Sequence, residues 1–274
     1  MVIDSHVHFW KYDKVRDAWI TKDMQILRED YLPHTLSSTL KRNGVEGCVA
    51  VQADQSELET LFLYELSQTY PIIKGVVGWI DLLGDEVQNR LAYFAQYPVV
   101  KGFRHIVQAE SDGFLLNQKF INNVALLHPF GFTYDILVMP HQLKDVISFV
   151  DKLPEQKMVI DHLAKPYVKK KEIEAWKKDI QIIAQNPNIY CKLSGLFTEA
   201  HWKEWHAADF YPYLDVVFEA FGTDRLMFGS DWPVMLLSGM YVQWKSLLEK
   251  YMEQLEEEER IKVMGTNAIQ FYNL

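Results

Sequence analysis

Eight short apolar runs, separated by longer stretches with helical spacing, span the chain and constrain its fold more than any other feature. The runs are VIDSH, VEGCVAV, IKGVVGWI, VVKGFRHI, FTYDILV, KMVIDHL, IYCKLSG and RLMFGSD, rich in β-branched residues and of strand length. Between them lie segments such as ELETLFLYELSQTY, VQNRLAYFAQY, INNVALLH, HQLKDVISFVDKL, EIEAWKKDIQIIAQN and YPYLDVVFEAFG, and two more close the chain, near YVQWKSLLEKYMEQL and RIKVMGTNAIQFY. Apolar strands alternating with helices predict a parallel sheet covered by helices. A count of eight predicts a closed α/β barrel, the (β/α)8 TIM barrel, over an open doubly wound sheet. With 274 residues and no linker or low-complexity tract, residues 1–274 read as a single barrel domain.

Composition narrows the function. The formal charge of −9 argues against nucleic acid and against anionic membranes, both of which need basic patches. The basic run Lys169 to Lys171 reads as a solvated loop or helix start, and Glu256 to Glu259 as the exposed first turn of a helix. Cys48 and Cys191 each fall inside an apolar run and read as small buried hydrophobes, which favours a reducing compartment. No signal segment follows Met1 and no apolar run is long enough to span a bilayer, so the expectation is a cytoplasmic protein. No GxGxxG turn follows the first strand, which disfavours a dinucleotide enzyme.

In such barrels the chemistry sits at the C-terminal ends of the strands. Those ends carry His6 and His8, Gln52, Trp79 with Asp81, Arg104 with His105, Tyr134 with Asp135, Asp161 with His162, Lys192 with Ser194, and Asp231. A ring of ionisable groups around one mouth is costly unless its members pair, bind metal or act. His6 and His8, two apart on one strand, project to the same side and are expected to face His162 and Asp231 across the barrel. The same alternation turns His105 toward the helix layer if Arg104 faces inward, and turns Asp161 away from His162. His34, His128, His141, His201 and His206 read as surface or capping residues.

The motifs DSHVHFW, VKGFRH, VIDHLAKP, CKLSG and LMFGSDWP, in that order, resemble those of the amidohydrolase superfamily. More narrowly, they resemble the branch that holds sugar lactonases of the fuconolactonase and rhamnonolactonase kind and a related dicarboxylate lactonase. The likeness spans essentially the whole chain. It implies that His6, His8 and His162 match the family's metal-site histidines, that Asp231 matches the aspartate that activates water, and that Arg104 matches an arginine that helps hold substrate. The binuclear members carry a carboxylated lysine on the fourth strand and a histidine on the fifth. GFRH and TYDILV stand there instead, so the expectation is one divalent ion, zinc, on His6, His8, His162 and Asp231, with its necessity left open.

The resemblance thus implies a carbohydrate-metabolising lactonase that opens a sugar-acid lactone by water attack on the ester carbonyl, with Asp231 as base and with His162 and Arg104 supporting the oxyanion. Trp10, Trp79, Tyr134 and Trp232 are the candidate flat faces for a sugar ring, and Gln52, Lys192 and Ser194 the candidate hydrogen-bonding groups. The alternative is a metal-dependent decarboxylase or hydrolase of the same superfamily acting on an unsaturated or aromatic acid. A barrel that only binds a sugar is the reading outside catalysis. Two long segments, 11–33 and 197–212, are of lid length. A homodimer is an open expectation, with no sequence pattern to mark its interface.

Overall fold

The computed structural model describes residues 1–274 and contains eight parallel strands in sequential order. They are β1 (Ile3–Val7), β2 (Gly47–Val51), β3 (Ile73–Gly78), β4 (Val100–His105), β5 (Thr133–Ile136), β6 (Met158–Ile160), β7 (Ile189–Leu193) and β8 (Leu226–Phe228). Seven fall inside their apolar runs, and β1 extends one residue past VIDSH to Val7. The first and last strands meet just past their C-terminal ends, where the Asp231 N–H donates to the His6 carbonyl at 2.9 Å and the His8 N–H to the Trp232 carbonyl at 2.7 Å. That closure makes the sheet a (β/α)8 barrel and brings the two ends of the sequence into one site.

The helices are α1 (Pro33–Arg42), α2 (Glu57–Thr69), α3 (Val87–Phe94), α4 (Gln118–Ala125), α5 (Leu143–Asp151), α6 (Glu174–Ile183), α7 (Leu196–Glu199), α8 (Tyr211–Phe221), α9 (Tyr241–Tyr251), α10 (Glu257–Ile261) and α11 (Asn267–Tyr272). Their starts follow ordinary capping chemistry. Ser56 accepts the Glu59 N–H ahead of α2, and Asn117 accepts two N–H groups ahead of α4. Helix α1 has no counterpart among the helical segments of the sequence, because its stretch PHTLSSTLKR is rich in Ser and Thr and buries only Pro33, Leu36 and Leu40. The acidic run behaves as expected, with Glu257, Glu258 and Glu259 in the first turn of α10.

Two cores result. The larger lies between strands and helices. The smaller fills the barrel with Ile3, Val49, Val51, Val77, Val159 and Met227, and α11 seals its floor with Ala268, Phe271 and Tyr272. Gly265, in the π-helical turn that leads to α11, passes so close to the first residue that a Cβ would lie 2.0 Å from the Met1 carbonyl oxygen. Cys48 and Cys191 are buried free thiols. The five histidines assigned to the surface are all exposed. No helix is long and apolar enough to cross a membrane.

Candidate active site

His6 reaches the barrel interior through an irregularity in β1. Ile3 faces the interior core, and strict alternation would send His6, three residues on, to the opposite face. The β1 to β2 register shifts between Asp4 and Val7, and His6 turns inward. His8 follows just beyond the strand, where its Nδ1 donates to the Val51 carbonyl at 2.8 Å. A carbonyl only accepts, so in neutral His8 the proton sits on Nδ1 and the Nε2 lone pair points into the site.

His162 arrives differently from expectation. Strand β6 ends at Ile160, and His162, Leu163, Ala164 and Lys165 all take left-handed backbone angles, with φ of 55°, 53°, 57° and 49°. Alternation lapses there, so Asp161 and His162 both turn into the barrel and the expected turning away of Asp161 does not occur. Asp161 instead pairs with Arg104 at 2.9 Å and with Lys192 at 3.0 Å, and its Oδ1 lies 3.3 Å from His6 Nδ1. His162 Nδ1 meets the Ser194 hydroxyl at 2.8 Å. Gly195 makes room for the ring, since a Cβ there would lie 2.6 Å from it. Asp231, also left-handed at φ 61°, completes the set from beyond β8.

The ligating atoms converge. His6 Nε2 and His8 Nε2 are 3.1 Å apart. Asp231 Oδ1 is 3.4 Å from His8 Nε2, 3.9 Å from His6 Nε2 and 3.8 Å from His162 Nε2. Burial pushes His162 down to about 4 and His6 well below its ordinary value, so both imidazoles are neutral at pH 7. Burial works to raise Asp231, but His162, the His8 hydrogen bond and Lys165 outweigh it and hold the carboxylate below its usual range. Imidazoles beside an ionised carboxylate are the donor set a divalent ion takes, and two triads have ligand atoms within 4.8 Å of one another, His6 with His8 and Asp231, and His6 with Asp161 and His162.

Beneath this cluster lies a charged floor. Lys192 Nζ meets Asp135 Oδ2 at 2.5 Å and His6 Nδ1 at 3.2 Å, and the Tyr272 hydroxyl donates to Asp135 at 2.8 Å. Lys192 is fully buried there, so it supports His6 from below and does not face the mouth. Gln52 is likewise buried, and its two oxygens accept from the Arg104 guanidinium, so it braces Arg104.

Above the cluster opens a cavity of about 320 Å³, lined by His8, Trp10, Arg104, His162 and Asp231 from the expected set. The other proposed aromatic contacts lie elsewhere. Tyr134 points outward on β5 and packs on Phe120 and Phe149 in the helix layer, as the alternation that turned His105 outward also requires. Trp79 turns its indole N–H to His105 Nδ1 at 3.4 Å, on that same outer side. Trp232 packs on Phe9 and Tyr31 and borders a separate groove with Leu236 and Met240. In their place Trp19, Gln55, Gln108 and Lys165 line the cavity. Trp19 comes from segment 11–33, one of the two segments of lid length. Gln55 and Gln108 carried no signal, because each follows a strand by several residues.

A histidine pair from the first strand, a histidine after the sixth and an aspartate after the eighth, gathered under one cavity of a (β/α)8 barrel, define a metal-capable hydrolytic site. The chain matches the sequence model of the amidohydrolase family over residues 3–274 and belongs to that family. It is 37% identical to an L-fucono-1,5-lactonase of Burkholderia multivorans, covering 99% of this chain and 96% of that protein. A second L-fucono-1,5-lactonase, from Burkholderia ambifaria, is 32% identical over 99% of this chain and 95% of the relative. A crystal structure of an amidohydrolase from Burkholderia multivorans with bound zinc superposes with a TM-score of 0.96 at 37% identity, covering 100% of this chain and 99% of the other.

Proposed function

We propose that the protein is a lactonase that hydrolyses an L-fuconate-type sugar lactone to its hydroxy acid. The observation that carries this reading is the convergence of His6, His8, His162 and Asp231 at the base of a cavity faced by Trp10 and Trp19. The full-length likeness to two L-fucono-1,5-lactonases supports the lactone as substrate. The aromatic faces suit the C–H face of a sugar ring. Gln55 and Gln108 supply amides for its hydroxyls, and the Gln108 Oε1 is buried without a partner.

His6, His8, His162 and Asp231 would hold one zinc ion, which when bound supplies a Lewis acid that polarises the ester carbonyl and acidifies water. The chain's own residues account for the proton. Water attacks the carbonyl carbon as Asp231 accepts its proton, the ring C–O bond breaks, and the ring oxygen takes the proton back through Asp231. The hydroxy acid then ionises and releases one proton to solvent. Arg104, committed to Asp161 and Gln52, orients the floor of the site instead of reaching over it.

The test is proton release on mixing with L-fucono-1,5-lactone and a panel of aldonolactones, with Asp231→Asn as control. Fast opening of one stereochemical subset, reduced by about 10²- to 10⁴-fold in the variant, is the expected result. Rates equal to spontaneous hydrolysis across the panel, with zinc supplied, overturn the reading.

A further inference from the structure

Lys165 stands at the far end of the turn that carries His162. Its N–H donates to the His162 carbonyl at 2.8 Å and closes the turn. A left-handed angle is disfavoured for every residue with a Cβ, and this turn holds four in succession. The two middle residues, Leu163 and Ala164, are buried in the apolar core, while the two outer ones, His162 and Lys165, line the cavity. A conformation so costly delivers two side chains to the site, and the mechanism above uses only His162.

The surroundings show what the second can do. Two cations line the cavity, Arg104 and Lys165. Arg104 directs both terminal nitrogens to Asp161 and Gln52. Lys165 has one ion-pair partner, Glu199 on α7, at a loose 3.8 Å, with both side chains partly exposed. An ammonium carries three donors, so most of its hydrogen-bonding capacity remains free for a ligand. Its side chain lines the same cavity as His162 and Asp231.

We infer that Lys165 contacts substrate: its ammonium, steadied by Glu199, binds the carboxyl oxygens of the opening lactone and of the acid that results. This rests on the lactonase reading. Water adds to the carbonyl carbon, the ring C–O bond breaks and a neutral ester becomes a carboxylate, so negative charge grows on the carboxyl oxygens. The Lys165 ammonium meets that charge with a charge-assisted hydrogen bond. Glu199 is a positioning residue that aims the ammonium.

The experiment compares inhibition of the zinc-loaded enzyme by L-fuconate, which has the carboxylate, and by L-fucitol, which has a hydroxymethyl group in its place. In Lys165→Met, the inhibition constant for L-fuconate is expected to rise about 10- to 100-fold, with that for L-fucitol unchanged within twofold and kcat/KM reduced. Lys165→Gln serves as a second variant if thermal melting shows the methionine protein unfolded. Equal weakening of both inhibitors, or of neither, in a folded active variant overturns the assignment and leaves the lactonase reading standing. A wild-type protein that opens no lactone overturns both.

Discussion

His6 Nε2 and His8 Nε2 face each other at 3.1 Å, a separation that requires a proton or a cation between the two lone-pair sites. Because His8 donates its Nδ1 proton to Val51, the cation is best supplied by a metal ion that also takes Asp231. Zinc added to chelator-treated protein is expected to raise the melting temperature, with a stabilisation of about 2.7 kcal/mol once free zinc exceeds Kd a hundredfold. His8→Ala should abolish that shift. A zinc-insensitive wild-type melt would remove the metal from the site.

The Lys192 to Asp135 pair is fully buried and also touches His6 and Asp161. Lys192→Met leaves buried Asp135 without its cation and Asp161 with Arg104 alone. Urea unfolding is expected to show a loss of about 3 to 5 kcal/mol. Adding Asp135→Asn to it should recover part of that loss. A mild effect of the single variant would show that the floor is not held by charge.

Tyr134 provides a negative control. Its hydroxyl is buried with no partner, and its ring faces the helix layer. Tyr134→Phe removes the cost of that hydroxyl, so stability should be unchanged or higher by about 1 kcal/mol, with kcat/KM within twofold. A marked drop in kcat/KM would return this residue to the site.

Glu59 sets a pH dependence away from the catalytic cluster. It accepts the Ala53 N–H, and burial pushes its carboxyl up to about 7 from an ordinary 4.5. The folded state therefore keeps this proton to higher pH than the unfolded state. Stability contributed by the neutral form is complete below 4.5, falls as pH rises toward 7 and is lost above it. Glu59→Gln keeps the acceptor and removes the charge, so melting at pH 8 should show a gain of order ~2 kcal/mol. At pH 4 the two proteins should melt alike.

The barrel and the convergence of four ligating residues are legible in the chain because both rest on periodicity. Apolar runs mark the strands, and polar residues at their ends mark the mouth. Alternation also places His105 outside, and applied to β5 it places Tyr134 there too. What alternation along β6 does not announce is His162: with Val159 inside, Asp161 follows it inward, and His162 joins Asp161 only because its backbone turns left-handed. Trp19, Gln55, Gln108 and Lys165 lie on loops, where spacing carries no direction, and only the folded loops bring them to the cavity. Helix α1 is hard to read for a different reason, since its one apolar stripe is only Pro33, Leu36 and Leu40 in a stretch rich in Ser and Thr.

Tyr272 is bonded to Asp135, which holds Lys192, which touches His6. A histidine on the first strand thus acquires its support from a residue on α11, after all eight strands. A nascent chain holds every candidate zinc ligand once Asp231 has emerged, yet its barrel floor stays open to water until α11 docks. The site is therefore complete only once α11 has docked, and removal of this short helix would leave a chain with its ligands intact and their foundation gone.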